Sequence, residues 1–117
     1  MKLNHLDLQV PDVQETAAFF ERWLSFTHVS SRTSPAIAIL RGEDGFTLVI
    51  QRRAEGERFP ENFHVGFLVD EPVVLDFHAR ARAAGLSISD VIRNGRGTLT
   101  YLRAPGEILV EVSARPT

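Results

Sequence analysis

Apolar and polar positions alternate strictly from His5 to Val10, within a stretch over residues 3–10. A period of two is typical of a half-buried strand, in which one face packs on a core and the other does not. The apolar face carries leucine and valine, whereas the opposite face carries His5, Asp7 and Gln9. The sequence therefore predicts a strand with one apolar side and one side that bears chemically active groups.

The pattern then changes to helical spacing. Asp12 precedes Glu15 by three residues, as in a capping box, and apolar residues follow at helical intervals up to Leu24. We predict a helix over residues 13–24, followed by Ser25 at a place where glycine commonly ends helices. Turn signals then separate three short predicted strands, at residues 27–32, 36–41 and 46–52.

The second half repeats this order of elements. His64 stands near the start of a strand predicted at 63–69, fifty-nine residues after His5. A helix over 72–84 is predicted to stop at Gly85, and strands follow at 86–92, 98–103 and 108–113. The predicted fold class is α+β, with two tandem βαβββ modules forming a curved mixed sheet around a cavity and the helices on the outer face. One domain is expected, with module one at about 1–53, a connection at about 54–61 and module two at about 62–117.

Composition excludes several classes of function. The chain has 117 residues, 44% apolar and 24% charged, with a net charge of −2 and no long basic run, so nucleic acid is not an expected partner. The absence of cysteine rules out disulfides, thiolate nucleophiles and cysteine-based zinc sites. The sequence shows no signal-peptide pattern and no apolar run of membrane-spanning length. We therefore expect a cytoplasmic protein without a membrane partner.

Four side chains are predicted to share the strand faces that point away from the helices: His5, His64, Glu111 and Gln51. The last two stand in the matching pairs Ile50-Gln51 and Val110-Glu111, sixty residues apart. Two imidazoles, a carboxylate and an amide oxygen suit Zn, Ni, Co, Mn or Fe(II), with coordination positions left for water or substrate. The pattern predicts an open metal site of the kind that metalloenzymes use.

The alternative for each histidine is an ordinary surface or hydrogen-bonded core residue, which is the commoner role of a single histidine at a strand start. The repetition of the histidine at the same register in both halves favours the metal site. His28 and His78 have no such counterpart. We interpret them as a strand-end residue and an exposed helix residue, and we leave them out of the site.

Segments around these residues carry a family resemblance: Asn4-His5-Leu6, Trp23-Leu24-Ser25-Phe26, Phe63-His64-Val65-Gly66-Phe67, and Tyr101-Leu102 ahead of Pro105-Gly106-Glu107-Ile108-Leu109-Val110-Glu111. Over its whole length the sequence resembles the vicinal oxygen chelate superfamily, the glyoxalase, bleomycin resistance protein and dioxygenase family. The resemblance implies paired βαβββ modules, commonly in homodimers. In the family's enzymes it implies a divalent metal that chelates adjacent oxygens of the substrate or intermediate.

By this resemblance His5, His64 and Glu111 match metal-binding positions. Gln51 matches the position where glyoxalase I has glutamate and methylmalonyl-CoA epimerase has glutamine. A glutamine there removes a proton-transfer base, so Asp7 is the remaining acidic candidate, either as a base or as a carboxylate that orients a ligand. Tyr101 matches the phosphonate-contacting tyrosine of fosfomycin-resistance enzymes, although a tyrosine in a strand is also an ordinary core or cavity residue.

The leading hypothesis is a metal-dependent enzyme that acts on a small oxygenated substrate, by lyase or isomerase chemistry. Asp7 and Tyr101 would contact the substrate or move protons. Dioxygenase chemistry is less favoured, because ring-cleaving members of the family have longer chains. The alternatives are a metal-free drug- or metabolite-binding protein of bleomycin-resistance type and a thiol transferase of fosfomycin-resistance type. Against the latter, Asp7 replaces a threonine of those enzymes.

Overall fold

The computed structural model describes residues 1–117 and contains two βαβββ modules. Module one comprises β1 (His5–Val10), α1 (Val13–Trp23), β2 (Thr27–His28), β3 (Ile37–Arg41) and β4 (Thr47–Arg52). Module two comprises β5 (His64–Leu68), α2 (Glu71–Ala83), β6 (Ile92–Asn94), β7 (Gly97–Ala104) and β8 (Ile108–Ala114). Contacts divide the chain into two compact units, Met1–Arg58 and Phe59–Thr117. The predicted α+β fold of two βαβββ modules is confirmed.

Each module contains one four-stranded mixed sheet, and the strand order is the same in both. The orders are β1-β4-β3-β2 and β5-β8-β7-β6. The first strand of each module runs parallel to the last, and the other pairings are antiparallel. Because parallel neighbours require a crossover, each helix provides one and packs on one face of its own sheet. Each sheet thus has a helix face and a helix-free face.

The core of each module lies between its helix and the helix face of its sheet. In module one Leu8, Ile50 and Phe20 are at most 1% exposed, and in module two Leu102 and Val110 are fully buried. Burial of one such side chain contributes roughly 1.5–3 kcal/mol, so the alternating apolar positions stabilise the strands in this orientation. The polar positions between them are thereby assigned to the helix-free face.

The helix ends follow the local sequence signals. The Asp12 carboxylate accepts a 3.0 Å hydrogen bond from the Glu15 amide, as the capping-box spacing predicts. Ser25 has φ of 61°, so it adopts the left-handed conformation that glycine usually supplies after a helix. Gly85 does the same after α2 with φ of 75°. Neither helix has the length and apolar character that crossing a membrane requires.

Two predicted strands are shorter or displaced, for one physical reason. The strand predicted at 27–32 ends at His28, and Ser30 Oγ accepts the Ile39 amide hydrogen bond at 2.8 Å. The strand predicted at 86–92 is replaced by an isolated bridge at Ile88 and by β6, which begins at Ile92. Between them, Ser89 Oγ accepts from the Tyr101 amide at 3.0 Å. In both places a serine hydroxyl replaces a backbone carbonyl in the ladder.

The start of β7 depends on a glycine. Gly97 has φ of 119°, and a Cβ placed there would lie 1.9 Å from the Ala114 carbonyl oxygen. Only a residue without a side chain allows β7 and the end of β8 to approach this closely. Gly97 therefore fixes the edge at which the β6–β7 hairpin joins the sheet.

Candidate functional site

A pair of directly opposed side chains defines the helix-free face of module two. Tyr101 on β7 pairs with Glu111 on β8, and the tyrosine hydroxyl donates a 2.7 Å hydrogen bond to Glu111 Oε1. The Glu111 side chain is only 14% exposed. On its other side Glu111 pairs with Gly66 of β5, where an added Cβ would lie 3.7 Å from Oε2. One carboxylate oxygen is thus held by Tyr101, and the other faces the space above a glycine.

His64 lies on the same face as this pair. Its ring centroid is 6.2 Å from that of Tyr101, in an edge-to-face arrangement. His64 Nδ1 is 2.9 Å from the Asn62 carbonyl oxygen, which can only accept, so Nδ1 carries the proton. In the neutral ring this leaves the lone pair on Nε2, which is the arrangement of a histidine oriented for metal binding.

The histidine of module one has the same arrangement. His5 Nδ1 is 2.8 Å from the side-chain oxygen of Asn4, so the ring again donates from Nδ1 and keeps a lone pair on Nε2. Both histidine side chains are exposed. The internal repeat therefore extends from strand position to the hydrogen bond that orients each ring.

Asp7 is held by two side-chain amides on the helix-free face of module one. One carboxylate oxygen accepts from Gln9 Nε2 at 2.6 Å, and the other accepts from Gln51 Nε2 at 2.5 Å. The structure thus brings Asp7 and Gln51 into direct contact. Their amide–carboxylate chain keeps Asp7 in one orientation, with both oxygens acting as acceptors.

The strand register corrects the predicted correspondence between Gln51 and Glu111. Gln51 lies four residues beyond Thr47, the β4 partner of His5, whereas Glu111 lies two residues beyond Leu109, the β8 partner of His64. At about 3.3 Å per residue, these offsets are about 13 Å and about 7 Å along the strands.

The residue at the register of Glu111 is therefore Val49, the partner of Asp7. The sixty-residue correspondence is wrong by two residues. A shift of two keeps the same face, so parity along the sequence cannot detect it. The greater distance from His5 argues against Gln51 as a ligand of the same ion.

Arg96 lies beside Tyr101 and Glu111, and the sequence did not predict this contact. It lies in the two-residue turn between β6 and β7, and Nη2 donates to the Tyr101 hydroxyl at 3.4 Å. Its Nη1 is 3.7 Å from Glu111 Oε1, and its side chain is 64% exposed. The hydrogen bond to Tyr101, with electrostatic attraction to Tyr101 and Glu111, raises the pKa of the Arg96 guanidinium. The sequence Asn94-Gly95 predicts the turn, but it does not predict that the Arg96 side chain extends to Tyr101 and Glu111.

The donor chemistry of the module-two face fits a divalent metal ion. An imidazole nitrogen with a free lone pair and a carboxylate oxygen that faces open space are ligands that such ions take. Within the single chain, no three His, Asp or Glu side chains are grouped closely enough to hold a metal. His64 and Glu111 are brought together on one face, and His5 belongs to the helix-free face of the other module.

Comparison with known proteins agrees with this architecture. Residues 2–112 match the model of the glyoxalase/bleomycin resistance protein/dioxygenase superfamily. The chain belongs to this superfamily. None of the curated proteins matches it.

Several solved structures of the superfamily are similar to the chain. A possible glyoxalase from Bacillus cereus is 30% identical with a TM-score of 0.86, over 97% of this chain and 98% of that one. Lactoylglutathione lyase from Agrobacterium tumefaciens is 17% identical with a TM-score of 0.80, over 97% and 92%. The fosfomycin resistance protein FosX from Listeria monocytogenes is 20% identical with a TM-score of 0.81, over 97% and 93%. The last two comparisons support the fold alone.

Proposed function

We propose that the chain is a divalent-metal-dependent enzyme of lyase or isomerase type, acting on a small oxygenated substrate in the cytoplasm. His5, His64 and Glu111 would hold the metal. The observation that carries the proposal is the shared orientation of both histidines, each with Nδ1 donating to an oxygen and Nε2 left with its lone pair. A bound metal would supply Lewis-acid stabilisation of negative charge on a substrate oxygen.

The remaining residues of the two faces have supporting roles in this proposal. Tyr101 fixes the Glu111 carboxylate through Oε1 and presents its hydroxyl toward the substrate side. Asp7 accepts the substrate proton at a carboxylate oxygen, and Gln51 holds that carboxylate in place. Gln51 thereby acts on the reaction through Asp7 and not as a metal ligand.

We also propose that the working unit is a homodimer. His64 and Glu111 share one face of module two, whereas His5 lies on module one. A second copy can supply the third ligand if His5 of one chain joins His64 and Glu111 of the other. A twofold dimer would then contain two identical sites.

This arrangement is tested by mixing His5→Ala and His64→Ala chains after unfolding and refolding them together. Each variant alone would bind little metal. In a mixed dimer one site lacks both histidines and the other is intact, so a random mixture recovers about a quarter of wild-type metal content. Elemental analysis of the dimer fraction measures the recovery. Wild-type binding without recovery in the mixture would show that the site is not shared between chains.

A second candidate function is modification of fosfomycin. The observation that favours it is the contact between Arg96 and Tyr101 beside Glu111, since a guanidinium and a phenol are suitable donors to a phosphonate. Incubation of the metal-loaded protein with fosfomycin, with and without a thiol, separates the two candidates by product mass. A metal-free drug-binding protein, the remaining alternative, would bind its ligand equally well after chelation of all metal.

A further inference from the structure

Glu111 has a cationic side chain of the same module beside it. Arg96 Nη1 lies 3.7 Å from Glu111 Oε1, the same oxygen that accepts the Tyr101 hydroxyl hydrogen bond. The carboxylate is largely buried at 14% exposure, whereas the arginine is 64% exposed. A nearly buried acid is thus neutralised by a cation that approaches from the solvent side.

The contacts of Arg96 with Glu111 and Tyr101 are weak enough for another cation to replace the arginine. Both the 3.7 Å approach to Glu111 and the 3.4 Å hydrogen bond to Tyr101 are long for charge-assisted contacts. The backbone of Arg96 is held separately, because its amide donates to the Asn94 side chain at 2.8 Å. The side chain can therefore move away from Glu111 without disturbing the turn.

We propose that Arg96 is a tethered cation that competes with the metal for Glu111 and thereby sets the metal affinity of the site. The inference rests on the proposed role of Glu111 as a metal ligand. Glu111 Oε2 faces the space above Gly66, so a metal there would share one carboxylate with Arg96. Two cations on one carboxylate repel each other, and the bound metal displaces the arginine.

Two other arginines of module two provide matched controls, because their contacts lie elsewhere. Arg103 is on the same strand and the same sheet face as Tyr101, but its guanidinium donates to the Glu107 carbonyl oxygen at 2.9 Å. Arg93, in the same hairpin as Arg96, is paired with Glu71 at 3.4 Å. Removing either charge changes the net charge of the protein without removing a partner of Glu111.

The test is a Co²⁺ titration of the full chain, followed by calorimetry and by visible absorption, for wild type, Arg96→Gln, Arg96→Lys and Arg103→Gln. We expect Arg96→Gln to bind Co²⁺ about two- to five-fold more tightly, the range of an exposed ion pair, and Arg96→Lys to lie between it and wild type. Arg103→Gln should match wild type. Circular dichroism checks that every variant is folded.

The direction of the change in Co²⁺ affinity shows whether Arg96 competes with the metal for Glu111 or helps to position Glu111 for it. Weaker or unchanged binding by Arg96→Gln overturns the inference, since an arginine that only positioned Glu111 would weaken the site when removed. An equal gain in Arg103→Gln also overturns it, by assigning the effect to net charge. If wild type binds Co²⁺ and Arg96→Gln shows no gain in affinity, only the inference about Arg96 fails and the proposed metal site stands. If wild type and all variants bind no Co²⁺, both proposals fail.

Discussion

The two modules share a topology and differ in the chemistry of their helix-free faces. Module one presents His5 above an amide–carboxylate chain in which Asp7 accepts from Gln9 and Gln51. Module two presents His64 with Tyr101 and Glu111, and an arginine approaches from the turn. The histidine and its orienting hydrogen bond are common to both modules. The other side chains on the two helix-free faces differ.

The difference shows that two modules with the same strand order can place different side chains at different distances from the histidine. The same order of strands accommodates a register offset from the histidine of four residues to Gln51 and of two to Glu111. An acid two residues along is close enough to act with its histidine, whereas an amide four residues along contacts the aspartate instead. Repetition of the fold therefore supplies two histidines, and only module two has a glutamate on the strand that pairs with its histidine strand, two residues beyond the histidine's partner.

The largest expected effect is a loss of stability when a glycine is replaced by alanine, and it should be greater in module two than in module one. Gly97→Ala places a methyl group 1.9 Å from the Ala114 carbonyl oxygen at a positive φ. We expect a loss of about 3 kcal/mol or more in the free energy of unfolding, measured with urea. In module one, the nearest atoms to the methyl group of Gly42→Ala belong to the Phe26 ring, at 2.8 Å, and the change should cost less because that side chain can shift. Equal losses at the two glycines would contradict this comparison.

The next effect compares Glu111 and Gln51 as metal ligands. Glu111→Gln should weaken divalent metal binding about 100-fold, because it removes the only anionic ligand of the proposed set. Gln51→Ala should change the affinity less than about threefold, since Gln51 acts on Asp7. Calorimetric titration with Co²⁺ measures both. A loss in Gln51→Ala as large as that in Glu111→Gln would restore Gln51 as a ligand and contradict the register argument.

The smallest effect concerns a surface ion pair of module one. Arg32 donates two hydrogen bonds to Glu21, at 2.8 and 2.7 Å, and this contact lowers the pKa of the Glu21 carboxyl from 4.5 to about 2. A lowered folded-state pKa means that the pair stabilises the protein above pH 4.5 and loses this contribution as the pH falls toward 2. Because the arginine is 62% exposed, solvent screens the pair and the contribution is small.

The measurement is the unfolding free energy of wild type and Glu21→Gln as a function of pH. Wild type should be the more stable at pH 7, and the difference should shrink as the pH falls below 4.5. Arg80→Gln, which removes an exposed pair with Asp76 in module two, serves as a comparison. A difference that persists unchanged at low pH would show that charge on Glu21 is not its origin.

Much of the fold could be predicted from the sequence because local signals agree with tertiary packing. Alternation in β1 and β5, the Asp12 cap and the Gly85 stop all depend on short-range physics that the sequence displays directly. The strands at 27–32 and 86–92 were predicted incorrectly because Ser30 and Ser89 bond to backbone across the sheet. Such bonds depend on long-range pairing that no local pattern reveals.

The candidate site was predictable only in part. The shared face of His64 and Glu111 follows from parity, and the structure places both on it, with Tyr101 directly opposite Glu111. The two-residue error at Gln51 and the omission of Arg96 have a different origin. Register depends on loop lengths, and the direction of a turn side chain depends on the hairpin it belongs to. Both become visible only in three dimensions.

The central proposal is that one divalent metal is held by His64 and Glu111 of one chain and by His5 of a second copy. Its most direct test is elemental analysis of wild type, His5→Ala and His64→Ala after stripping and reconstitution. The account predicts about one ion per wild-type chain and a comparable loss of metal in the two variants, because both rings are oriented in the same way. Wild-type protein with no metal above background, or a loss in only one of the variants, would contradict it.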